Sequence, residues 1–182
     1  MKQTVFTSAT AIFLTLIFLT ATLPVAAQAE GSGYYQNVGS AYTELNTFRT
    51  TKGVWYWNSN NKTKTTFNTN SKNRLPTLRR DAELERVAKT RAKELSRRYS
   101  HTRPNGKWCF TAYPSMKEKG ENIACGYPTA SSVTEALKET NAPYSGQAHR
   151  RNMLSPRYNC VGIACYVSPT GTHYWVQSFG YK

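Results

Sequence analysis

The sequence predicts an α+β domain, with helices first and a strand hairpin last. Three observations carry that reading. Apolar residues recur at helical spacing through the first two thirds of the chain. Two runs near the C-terminal end alternate at the strand period, and Ser168-Pro169-Thr170-Gly171 joins them as a turn. Helices and strands segregated within one small unit favour layered α+β packing.

The first helix is expected over Tyr42 to Arg49, with Ala41, Leu45 and Phe48 facing inward. Trp55-Tyr56-Trp57 follows as a pinned edge or lid. The polar tract from 58 to 73, rich in Asn, Lys and Thr and without periodicity, is expected to be a long exposed loop. The strongest helix starts at Asp81, a good N-cap, and runs to about Arg98. Its apolar stripe is Leu84, Val87, Ala88, Ala92 and Leu95. Its opposite side is charged, and Glu85 with Lys89 and Glu94 with Arg98 have the spacing of i,i+4 pairs. A further helix is expected from Ser132, with a capping box to Glu135, closing at Glu139. A short helix over His149 to Leu154 should stop before Pro156. The two strands are Asn159 to Val167 and Thr172 to Phe179. Trp175 and Phe179 on one face and Tyr174 and Val176 on the other place the last strand centrally, with Gln177 needing a buried partner. His173, beside Tyr174, reads as a packed or edge residue.

Residues 1–29 read as an export signal. Lys2 supplies the positive start, Ala11 to Leu23 the apolar run, and Ala27-Gln28-Ala29 the small-x-small cleavage site. The apolar run is short for a full span of about twenty residues. Residues 30–182 then form one domain, with a core over about 40–180 and no second span. The expected location is secreted, extracellular or associated with the cell surface. The formal charge of +14 suits anionic extracellular partners such as wall polymers or acidic lipid. No recognition motif supports binding to nucleic acid.

Four cysteines, Cys109, Cys125, Cys160 and Cys165, suggest disulfides in an exported chain. Cys160 and Cys165 fall five apart on one strand, about 16 Å apart and on opposite faces. A bridge requires Cα atoms within about 7 Å. Of the two remaining connectivities, Cys109 with Cys165 and Cys125 with Cys160 is preferred.

Two imidazoles and two carboxylates stand out: His101, Glu121, Glu139 and His149. His101 precedes the Pro104-Asn105-Gly106 turn, Glu121 lies in a Gly-Glu-Asn segment read as a turn, Glu139 ends a helix, and His149 begins one. Such a set can bind a divalent metal or hold a polar cleft in shape by hydrogen bonds, and the residues alone leave both open.

Four segments in order resemble the CAP superfamily of cysteine-rich secretory proteins, in its bacterial secreted branch. They are Ser-His-Thr-Arg-Pro-Asn-Gly at 100–106, Gly-Glu-Asn-Ile at 120–123, His-Arg-Arg-Asn-Met-Leu at 149–154 and Tyr-Trp-Val-Gln at 174–177. The resemblance implies a three-layer α-β-α sandwich with a central antiparallel sheet. It also implies a cleft lined by His101, Glu121, Glu139 and His149. In that cleft His101 and His149 are direct ligands for zinc or another divalent cation, and the two acids lie close by. Ala136 and Ala148 stand where the family often has Trp and Gly.

The implied function is non-catalytic binding of an extracellular lipid, wall component or protein. Two alternatives remain at this level. One is a metal-dependent hydrolase or peptidase, since an open metal site can activate water. The other is a charge-driven adhesion module. No His-Glu-x-x-His or Gly-x-Ser-x-Gly motif is present to support other hydrolytic chemistry.

Overall fold

A computed structural model describes residues 32–182, so the export-signal reading of residues 1–29 lies outside the described residues. Among these residues, four α-helices and seven strands, besides short 3₁₀ turns, make up one five-stranded sheet, one small hairpin and the helices that cover them. In chain order they begin with β1 (Tyr34–Gln36), α1 (Gly39–Thr50), β2 (Trp55–Trp57), β3 (Lys64–Thr66) and β4 (Arg79–Arg80). Then follow α2 (Ala82–Leu95), β5 (Lys119–Cys125), α3 (Ala130–Lys138), α4 (Ala148–Leu154), β6 (Cys160–Val167) and β7 (His173–Gly180).

The sheet order is β1-β6-β7-β5. The expected hairpin is formed antiparallel, from Val167 opposite His173 to Cys160 opposite Gly180. Strand β7 is central, as its two apolar faces require. Trp175 and Phe179 pack into the core under α1 and α3, and Val176 packs against α2. Strand alternation therefore builds the sandwich. Val161, Ile163 and Cys165 face α1, α3 and α4, while Ala164 and Tyr166 face Ala88, Ala92 and Leu95 of α2. The sheet is not purely antiparallel, because two-residue β4 pairs parallel with β6 at Arg79–Cys160.

Helix α2 matches its predicted stripe: Leu84, Val87, Ala88, Ala92 and Leu95 are all buried. Asp81 caps it, accepting from the N–H groups of Glu83 and Leu84. The helix reaches the sheet closely at Gly162, where an added Cβ would lie 2.0 Å from the Leu84 carbonyl carbon. The expected i,i+4 pairs on α2 are replaced by other partners, one of them an i,i+3 neighbour on the same helix. Glu85 bonds Arg80 and the Tyr42 hydroxyl, and Glu94 bonds Arg91 and Arg103. Arg91 and Arg103 are well buried where they meet Glu94, with side chains 0% and 16% exposed, and so are held in place by the fold.

Three further expectations are corrected. The tract at 58–73 is not structureless: β3 pairs with β2, and Asn70 and Asn73 form a capping box on a short 3₁₀ turn. Helix α3 starts two residues earlier than Ser132, capped by Thr129 with its box to Ser132. Glu121 lies in a strand, not a turn, with β5 paired to β7 at Glu121–Ser178.

The expected disulfides are absent: all four thiols are free. Register explains this. Cys125 lies opposite Tyr174 and Cys160 opposite Gly180, at different ends of the sheet. Six strand residues separate these levels, about 20 Å. Cys165 faces the α1 side, whereas Cys109 sits with Glu121 on the α2 side.

Candidate metal and ligand cleft

The free edge of β5 forms one wall of a cavity of about 220 Å³. His101, Glu121 and His149 line it together, with Trp108, Cys109, Asn152 and Tyr158. Each residue arrives by a different route. His101 follows the end of α2, Glu121 projects from β5, and His149 stands in the first turn of α4. Glu139 does not line the cavity; it lies behind His149.

The two histidines are held alike. His101 Nδ1 lies 2.8 Å from Glu121 Oε1, and His149 Nδ1 lies 2.5 Å from Glu139 Oε1. An ionised carboxylate can only accept, so Nδ1 donates in both rings, and in the neutral imidazole Nε2 is then the atom that carries the lone pair. A carboxylate behind an imidazole is the arrangement that fixes tautomer and raises ligand basicity at metal centres. The rings keep some solvent access, their side chains being 38% and 30% exposed.

The acids are anchored from behind. Glu121 accepts from Arg91 Nε at 2.8 Å and from Arg91 Nη2 at 3.2 Å, and the Arg91 side chain is fully buried. Burial works to raise the Glu121 carboxyl, but hydrogen bonds from His101 and Arg91 outweigh it and hold the group below the usual range. Arg91 in turn bonds Glu94 and the Ser100 carbonyl, which fixes the segment entering His101. Glu139 ends α3 in the left-handed conformation, φ 46°, ψ 40°. Its second oxygen accepts the backbone N–H groups of His149 and Arg150.

Asn122 explains why three of the sequence motifs occur together. Its amide donates to the His149 carbonyl at 3.1 Å and to Gln177 Oε1 at 3.0 Å, and its oxygen accepts from Asn152 at 2.8 Å. Strands β5 and β7 are thereby tied to α4 under the cleft, and Gln177 has its buried partner.

His101, Cys109 and Glu121 also offer three ligand atoms within 4.8 Å of one another. This trio could hold a cation, and within it His101 and Glu121 are hydrogen-bonded to each other. Arg91 already places a cation on both Glu121 oxygens, and burial, reinforced by Glu121, pushes the Cys109 thiol up to about 12. The guanidinium charge on Glu121 works against a second cation at that carboxylate. Cys109, expected in a bridge, is thus part of the cleft floor. Trp108 borders the cavity too, with no motif in the sequence to mark it. It is 53% exposed, and its ring lies 5.9 Å from that of His101.

An α-β-α sandwich carrying paired histidines at a sheet edge defines the class. The sequence matches the profile of the cysteine-rich secretory protein (CAP) family over residues 42–179, and the chain belongs to that family. No curated protein matches it. Among solved structures it is similar to an outer surface protein of Borrelia burgdorferi. The two share 20% identity over 82% of this chain and 98% of that one, with a TM-score of 0.57. It is also similar to an extracellular SCP-domain protein of Bacillus anthracis, at 23% identity and TM-score 0.49, covering 59% of this chain and 35% of that one. A cysteine-rich secretory protein of Staphylococcus aureus matches at 14% identity and TM-score 0.47, over 79% and 37% of the two chains. This chain therefore spans about a third of the latter two. Among the described residues no helix is long and apolar enough to cross a membrane.

Proposed function

We propose that this is a secreted binding protein whose cleft holds a divalent cation through His101 Nε2 and His149 Nε2, with residues 1–29 as its removable export signal. One observation supports the metal reading above the others. Both rings bordering the cavity have Nδ1 occupied by a carboxylate, which leaves the same atom of each free. Zinc suits such a pair, with water completing the coordination. When bound, the cation supplies a Lewis-acidic point for an oxygen-bearing extracellular ligand: a lipid head group, a wall component or a protein side chain.

Binding is favoured over hydrolysis because both acids are already engaged. Glu121 is held by Arg91 and His101, and Glu139 by His149 and two backbone N–H groups. Neither carboxylate is free to take a proton from an attacking water, as a general base must. Calorimetric zinc titration of the purified protein tests this reading. The intact protein should take up one equivalent, and the His101→Ala/His149→Ala double variant none. Equal uptake by both would remove the cleft from the account.

A second reading, charge-driven adhesion, has its own observation. Arg86, Lys89 and Lys93 are exposed along one side of α2, and Arg97 is exposed in the turn that follows it. The spacing of three to four residues keeps the first three on one helical stripe. Adhesion to an anionic wall polymer through this stripe should weaken steeply with salt, because screening acts within about 8 Å at physiological ionic strength. It should survive loss of both cleft histidines.

A further inference from the structure

Three arginines are buried, and they spend their donors differently. Arg49 gives Nε, Nη1 and Nη2 to the carbonyls of Pro76, Met153 and Tyr158. Arg91 gives all three nitrogens to Glu121, Glu94 and the Ser100 carbonyl. Arg150, only 3% exposed, gives Nε to the Trp55 carbonyl and Nη1 to the Lys138 carbonyl and Thr140 hydroxyl. Its Nη2 has no acceptor among the described residues, and no carboxylate forms an ion pair with it. Nη2 is not sealed off, since it is absent from the buried polar atoms left without a partner, and the Glu139 and Glu135 carboxylates act on the guanidinium only at longer range.

Arg150 instead borders a second cavity, of about 470 Å³, between α1, β2 and the end of α3. No residue lining this cavity lines the cleft. The guanidinium carbon lies 4.9 Å from the ring centroids of both Phe48 and Trp55, so the fork is clamped in one orientation. Phe48, Val54 and Trp55 supply apolar wall, and Lys52 stands exposed at the border. Of the two carboxylates on the border, Glu135 is paired with Lys138 at 2.7 Å and Glu44 has no ion-pair partner. The volume lies within the range of small-molecule sites, roughly 300–1,000 Å³.

We propose that this cavity is a second binding site, taking a small aromatic oxyanion, either a carboxylate or a phosphate. The anionic head accepts from Arg150 Nη2, and the ring lies against the apolar wall. The site is independent of the metal reading of the cleft.

Nuclear magnetic resonance tests it. The indole N–H signal of Trp55, identified by its loss in Trp55→Phe, is followed during titration with benzoate, phenyl phosphate and uncharged benzyl alcohol. Saturable movement with one or both anions and none with the alcohol is expected, and the stronger anion names the head group. Arg150→Gln should weaken binding about 10- to 100-fold, the worth of a hydrogen bond to a charged group. Should that variant fail to fold, Lys52→Glu, at an exposed position, is expected to weaken binding severalfold by reversing the charge at the mouth. No shift, an equal shift with benzyl alcohol, an unchanged affinity in Lys52→Glu, or movement confined to the Trp108 signal would each overturn the proposal.

Discussion

Glu139 occupies a backbone conformation that glycine adopts freely and a glutamate does not, at a helix end where glycine is the common choice. The strain, on the order of 1 kcal/mol, is borne by a residue whose carboxylate orients His149. Glu139→Gly separates the two roles. Its thermal midpoint should change little, as relieved strain offsets lost hydrogen bonds, while zinc affinity should fall about 10- to 100-fold. Arg91 differs, because its role is structural as well as positional. Arg91→Met keeps most of the volume but leaves Glu121 buried without its cation, and should cost about 3–5 kcal/mol in urea unfolding. Adding Glu121→Gln should recover part of that loss, since the uncompensated charge is then gone.

At the scale of elements, the contact between α2 and β6 rests on Gly162. A methyl group there would meet helix backbone rather than a movable side chain, so Gly162→Ala should destabilise by at least about 1–3 kcal/mol. Differential scanning calorimetry checks this, and a neutral result would mean that α2 can shift on the sheet. Helix α2 was legible in the sequence because its stripe is regular and its cap strong. The β6–β7 hairpin was legible because alternation and a Pro-Gly turn coincide. Strand β5 was not, because Glu121 and Asn122 break an apolar pattern. Their burial is satisfied by Arg91 and Asn152, each thirty residues away, and no local signal marks such partners. Strands β1 and β4, three and two residues long, are too short to show a period. The cysteines misled for a related reason: an even count suggests bridges, and only register reveals that they stand apart. Of the four residues singled out as a cleft, three share the cavity and the fourth supports it. Trp108 carried no sequence signal beyond being an aromatic near His101.

The whole molecule depends on carboxylates paired with cations, and this sets its response to acid. For Glu94 and Glu121 burial works to raise the carboxyl, yet Arg103 and Arg91 in the first case and His101 and Arg91 in the second hold it low. At Asp81, Lys182 and the α2 N–H groups likewise outweigh burial. Lowered folded-state values mean that the stabilisation is complete above the unfolded carboxylate range, about pH 4–4.5, and is lost as pH falls through the lower folded values. Melting temperature should therefore hold steady from neutral pH to about 5 and drop below about 4, with a shallower acid limb in Glu121→Gln.

The cation site rests on two nitrogen atoms, and long-range proton–nitrogen spectra of the imidazole rings read them directly. Before metal is added, His101 and His149 should both appear as the tautomer protonated on Nδ1, and stoichiometric zinc should displace both Nε2 signals together. Protonated Nε2 on either ring, or zinc that moves only one of them, would contradict the paired site.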